Sequence, residues 1–197
     1  SFDECSTQYL KAMAEAGRLG AVVNIHCEDQ TCISHATQQL EAEGHSNVRH
    51  YADSRPRVSE GLAVRRAIQM GRIADAPMYL VHLSCEESLD AINESRARGH
   101  AVYAETRPIY LHLSRDRFDD KTDPERFVGW PPLREADQMD ILWQGLQHNV
   151  LQTVATDHVG WSLEQKKSRT KVDELIPGMA NLETLLPMLY SEGVRKG

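Results

Sequence analysis

Residues 78–105 read MYLVHLSCEESLDAINESRARGHAVYAE. Met78–Leu83 (MYLVHL) is a short apolar run of strand formers. Ser84, with Glu87 three residues on, has the pattern of a capping box, in which a Ser side chain and a Glu side chain each satisfy a free backbone N–H at a helix start. The helix it opens runs to Gly99, a residue suited to the left-handed turn just beyond a helix. Ala101–Glu105 (AVYAE) then reads as a strand again. Strand, helix and strand in this order make a βαβ unit, and such units build parallel sheets.

The pattern repeats outward. Upstream, Ala21–Ile25 (AVVNI) reads as a strand buried on both faces, as parallel strands are. A helix follows with Ile33, Ala36 and Leu40 on one side, stopped by Gly44. After a polar connection over 45–57 with Pro56, the spacing predicts a helix from Ser59 to Ala74. Before all of these, Phe2, Cys5, Tyr9, Met13 and Ala16 recur at helical spacing, with Gly17 and Gly20 as the expected end. Downstream, residues 106–135 are long and irregular and carry Pro108, Pro124, Pro131 and Pro132. A connection of that length in a compact domain is often functional. A helix bearing Ile141, Leu142 and Leu146 leads to a strand near Gln152–Thr156, and Leu182, Leu185, Leu186 and Leu189 mark a last helix. The fold class is therefore α/β, either an open doubly wound sheet or part of a barrel. No GxGxxG or GxxxxGK[ST] phosphate loop is present, which weakens the nucleotide-binding version.

Composition narrows the function. The 197 residues carry 22 Lys+Arg against 29 Asp+Glu, a net charge of −7. That balance argues against nucleic acid or an anionic membrane as partner. The longest apolar runs fall far short of the roughly 20 residues of a membrane span. The chain opens SFDECSTQ, without a basic start and apolar stretch, so it shows no signal peptide. Its four cysteines lack CxxC spacing and read as reduced thiols of a cytoplasmic protein.

Three residues stand out by position. His26 follows AVVNI, His82 lies at the end of MYLVHL, and Asp157 follows the strand that ends at Thr156. All three fall at the C-terminal ends of parallel strands, the edge that builds active sites in α/β folds. Two imidazoles and a carboxylate are the donors expected for zinc or a similar divalent ion. A single strand-end histidine is more often a hydrogen-bonded core residue; it is the shared edge of three such residues that favours a metal. His45 and His50 sit in a polar loop and read as solvated. His35, His100, His112 and His148 have no acidic partner at ligand spacing, and His158 reads equally as a hydrogen-bonded support or an exposed ring. Cys27 and Cys85 read as small buried hydrophobes. No GxSxG elbow supports a serine hydrolase.

At these residues the chain resembles a family. VVNIHCED, DSRPRVSEGLAVRRAI, MYLVHLS, VYAETRPIYLHL, PPLRE and VATDH, in this order from Val22 to about Leu189, are similar to the hydantoinase and dihydropyrimidinase branch of the cyclic amidohydrolases. The resemblance implies a partial (β/α)8 barrel, about strands five to eight with their helices. Residues 1–197 are then one partial catalytic domain, truncated on the N-terminal side and on the C-terminal side; the length is short of the roughly 250 residues of a whole barrel. It implies two zinc ions (manganese or cobalt as alternatives) with His26, His82 and Asp157 as ligands. The remaining ligands, two histidines and a carbamylated lysine, would lie upstream of Ser1, so the isolated chain is expected to be inactive. Asp157 would also be the catalytic proton shuttle. The implied reaction is hydrolysis of a hydantoin or dihydropyrimidine ring to an N-carbamoyl amino acid, with a homotetramer or homodimer as the full-length assembly. Allantoinase or dihydroorotase activity, and a scaffold relative without catalysis, are the alternatives.

The chain departs from the family at several points. Trp130 stands where the family has a Ser before PPLR, and Arg107 where it often has Cys. Val159 follows TDH, and IPGMANLE replaces the family's Asn- and Gly-rich loop. By the resemblance Trp130 and Asn181 are the substrate-binding positions.

Overall fold

The structure is a computed structural model that describes residues 2–196. Four parallel strands, β1 (Val23–Ile25), β2 (Met78–Leu80), β3 (Val102–Thr106) and β4 (Thr153–Val154), form one sheet in sequence order. The register pairs Ile25 with Leu80, Leu80 with Ala104, and Thr106 with Val154. The connections carry α2 (Gln30–Ala42) and α3 (Arg57–Ile73), then α4 (Glu86–Arg96), then α5 (Asp137–Gln147); α1 (Phe2–Arg18) precedes the sheet.

Strand alternation decides which side is the core. Met78 and Leu80 are buried against the helices with Val64, Ile92 and Leu142. Tyr79, one residue out of phase, faces the other side. There its hydroxyl donates to Glu105 Oε2 at 2.6 Å and meets Thr153 Oγ1 at 2.7 Å. The far face of the sheet is thus lined with polar groups that satisfy one another across β2, β3 and β4.

Several expectations are corrected. β1 is not buried on both faces, because Asn24 is exposed and Val23 and Ile25 are only half-buried; its outer edge has no neighbouring strand among the described residues. Ser84 does not cap α4. Cys85 is the N-cap, without a side-chain bond, since both the amide and the hydroxyl of Ser84 are spent on the Glu60 carboxylate. A complete capping box forms instead at Ser162 and Gln165, opening the short α6 (Leu163–Lys167). α1 runs through Gly17, whose bare Cα lets the helix rest on the Asp75 carbonyl, where a Cβ would come within 2.5 Å. The last helix is broken into a 3-10 turn, the four-residue α7 (Leu185–Met188) and a π turn, and Leu182 and Leu186 remain exposed. The irregular stretch after β3 is ordered by short 3-10 turns. Tyr110 donates to the Pro131 carbonyl and Tyr51 to that of Gly129, which ties the two ends of the stretch together and to the connection before α3. No described helix is long and apolar enough to cross a membrane.

Candidate metal and active site

The three strand-end residues come together. Beyond β2 the pairing continues, with the Val81 amide on the Ile25 carbonyl and the Leu83 amide on that of Glu105. His82 lies between these bonds with φ +44, and Asp157, past β4, also has φ +44. A non-glycine residue in the left-handed region costs on the order of 1–3 kcal/mol and is held there by its surroundings, a feature concentrated at functional sites. The turn throws each side chain off the strand end into a cavity of about 200 Å³ lined by His26, His82, Trp130, Asp157, Val159, Pro177 and Gly178.

His26 Nδ1 faces His82 Nε2 at 2.9 Å. The other nitrogen of His26 meets Glu28 Oε2 at 3.1 Å, and Arg55 Nη1 donates to the same oxygen at 3.0 Å. A carboxylate on the far nitrogen fixes the ring and its tautomer and turns the Nδ1 lone pair toward His82. His82 Nδ1 is buried without a partner. Burial, aided by the charge at His26 and Arg107, pushes His82 down to about 3, so the ring is neutral at physiological pH, as a metal ligand must be. Burial alone would raise Glu28, but the bond to His26 and the charge of Arg55 outweigh it and hold the carboxyl below its usual range. Two convergent imidazole nitrogens, one oriented by a carboxylate, fit a borderline divalent ion. They do not enclose one: among the described residues no group of three or more His, Cys, Asp or Glu is arranged to hold a metal.

Asp157 lines the same cavity. Its Oδ2 lies 3.3 Å from Nη1 of the fully buried Arg107. Arg107 also donates to the carbonyls of Thr156 and Asp157, each at 3.2 Å, and so braces the turn that carries the carboxylate. Trp130 is half exposed and its ring lies under the Arg55 guanidinium, 4.5 Å from centroid to carbon. Asn181 is brought near but not in. Its amide nitrogen donates to the Met179 carbonyl, and it lines a separate cavity of about 520 Å³ beside Lys166 and Trp161. The backbone amides of Asn181 and Leu182 both donate to His158 Nδ1, which gives His158 a supporting role. Cys27 and Cys85 are buried.

Sequence reading passed over Glu28, Arg55, Glu60 and Arg134. Glu60 and Arg134 form a buried ion pair at 3.2 Å, and Arg134 Nε donates to Ser84 Oγ at 2.9 Å. Two buried charges thereby anchor the loop two residues beyond His82. The signal available was an acidic residue two places after His26, a charge in the first turn of the helix predicted from Ser59, and charges in stretches that otherwise read as loop.

The fold and site define a class, an α/β domain with a metal-suited histidine pair at the C-terminal edge of its parallel strands. No family model matches the chain. Individual relatives do. The chain is 36% identical over 192 residues to a D-hydantoinase of Rhizobium radiobacter, covering 95% of this chain and 42% of that protein. A D-hydantoinase of Geobacillus stearothermophilus is 32% identical over 190 residues, 95% of this chain and 40% of that one. Among solved structures, the dihydropyrimidinase from Brevibacillus agri superposes with a TM-score of 0.91 at 36% identity over 95% of this chain and 41% of that chain. The L-hydantoinase (dihydropyrimidinase) from Arthrobacter aurescens gives 0.85 at 29% identity over 97% and 42%. The chain is thus a homologue of the hydantoinases and dihydropyrimidinases, and it spans about two-fifths of their length.

Proposed function

We propose that residues 1–197 form one partial catalytic domain, the later half of a (β/α)8 barrel with β1–β4 as strands five to eight, in a metal-dependent hydrolase that opens cyclic amide rings. The substrate class is hydantoin or dihydropyrimidine and the product an N-carbamoyl amino acid. The observation that carries this reading is the 2.9 Å approach of His26 Nδ1 and His82 Nε2 in a cavity that also holds Asp157. His26, His82 and Asp157 would hold the metal, zinc by preference, with manganese or cobalt suited to the same donors. When bound, a divalent ion supplies the positive charge that makes water nucleophilic near neutral pH and polarises a carbonyl.

The chain's own residues do the rest. Water oxygen bonds to the ring carbonyl carbon, and the carbon–nitrogen bond breaks. Asp157 takes the proton released by the water and returns it to the departing ring nitrogen. Oδ1 is the oxygen free for this, because Oδ2 faces Arg107. Glu28 and Arg55 keep His26 aimed. Trp130, Val159 and Pro177 wall the cavity and exclude water from the ring. Asn181 lines the neighbouring cavity and supports the site through its backbone amide, which donates to His158 Nδ1. A scaffold role without catalysis is disfavoured by the joint presence of His26, His82 and Asp157. The test is ring opening of hydantoin and dihydrouracil by the full-length protein, read as N-carbamoyl product. Absence of product with both rings and added zinc would sink the reading.

A further inference from the structure

Arg55 sits where the arms of this site meet. Its side chain is 12% exposed and its Nη1 donates to Glu28, the carboxylate that orients His26. The flat face of the same guanidinium covers Trp130, a wall of the cavity. Its own carbonyl accepts from Arg134 Nη1, and Arg134 braces Ser84 beyond His82. Pro56 directly after it is the N-cap of α3, so the backbone that presents Arg55 is fixed at a helix start.

We infer that Arg55 is a positioning residue with two separable jobs: its charge holds Glu28 on His26 and so sets the metal-binding nitrogen, while its plane holds Trp130 against the substrate. The inference rests on the metal-hydrolase reading above. The two jobs need different chemistry. A charge beside Glu28 can come from lysine or arginine. Stacking on an indole face needs the planar guanidinium, and a lysine ammonium does not reproduce it. Glutamine supplies neither.

The experiment compares the full-length wild type with Arg55→Lys and Arg55→Gln. Zinc affinity is measured by competition with a chromophoric chelator, and KM and kcat by ring opening. Loss of a group that orients a metal-bound histidine typically weakens metal binding by about 10- to 100-fold, which is the expectation for Arg55→Gln. Arg55→Lys should keep zinc affinity within about threefold of wild type. Its KM should rise roughly 3- to 5-fold, because the ammonium keeps only a point-charge contact with the ring and loses the planar stacking, with kcat little changed. Retained zinc binding in Arg55→Lys also shows that the site is folded. Wild-type zinc affinity in Arg55→Gln, or an unchanged KM in Arg55→Lys, overturns the inference. A wild type that binds no zinc instead counts against the metal reading itself.

Discussion

His26 Nδ1 lies 2.9 Å from His82 Nε2 across a separation of 56 residues. The parallel register of β1 and β2 brings Ile25 beside Leu80, and the left-handed turn at His82 swings its ring onto that of His26. In the proposed metal site each ring would offer one nitrogen to the same ion. Alanine at either position should therefore lower the zinc content of the purified full-length protein, measured by plasma spectrometry. Zinc content equal to wild type in both variants would remove the pair from the metal site.

Asp157 has a different part. Asp157→Asn keeps the size and one oxygen but loses the base, and general acid–base catalysis is worth about 10² to 10⁴ in rate. We expect kcat to fall by that amount while substantial zinc is retained. Near-normal turnover in Asp157→Asn would leave the residue a strand-end brace for Arg107 and nothing more.

The order of strands and the edge at which His26, His82 and Asp157 fall were legible in the sequence, because short apolar runs alternate with helical spacing and chain order is also sheet order here. The supports of the site were not. Glu60 and Arg134 are 74 residues apart, and no local pattern says that a charge inside a helix will be buried against one from a distant loop. The same contact explains the misread cap: Ser84 followed by Glu87 satisfies the local rule, but Glu60 offers Ser84 a buried acceptor that the helix end cannot match. Trp130 and Asn181 look alike as neighbours of site motifs, yet only Trp130 reaches the histidine cavity.

Removing one partner of the buried Glu60–Arg134 pair should cost more than the pair is worth. Arg134→Met leaves the fully buried Glu60 carboxylate uncompensated, a loss of about 3–5 kcal/mol in urea unfolding. The exposed pair Arg49–Asp119 is the control, and Arg49→Met should cost about 0–1 kcal/mol. Equal losses in the two variants would contradict the burial argument.

Gly178 has φ +112, and a Cβ there would stand 2.6 Å from the Val159 Cβ. Gly178→Ala therefore adds backbone strain of on the order of 1–3 kcal/mol and drives Val159 into the cavity it lines. The expected outcome is a lower melting temperature together with a raised KM. A variant with wild-type stability and KM would show that this turn does not shape the site.

Lys166 gives a pH signature. Its Nζ donates to the carbonyls of Val128 and Gly178, with no carboxylate paired to it among the described residues. Burial, with the charge of Arg107, brings it down from 10.5 to about 8. Between those values the unfolded chain holds a proton that the folded chain has shed, so stability contributed by this group rises with pH across that window. Lys166→Met should lose that rise. Thermal melts of both proteins at intervals from pH 7.5 to about 10.5 test it, and parallel curves would contradict it.

The most direct test of the whole account is metal removal and return in the full-length protein. Chelation should abolish hydantoin or dihydrouracil ring opening, and stoichiometric zinc should restore it in wild type but not in His82→Ala. Undiminished ring opening by metal-free protein, or equal restoration in His82→Ala, would contradict the assignment of His26, His82 and Asp157 as the catalytic metal site.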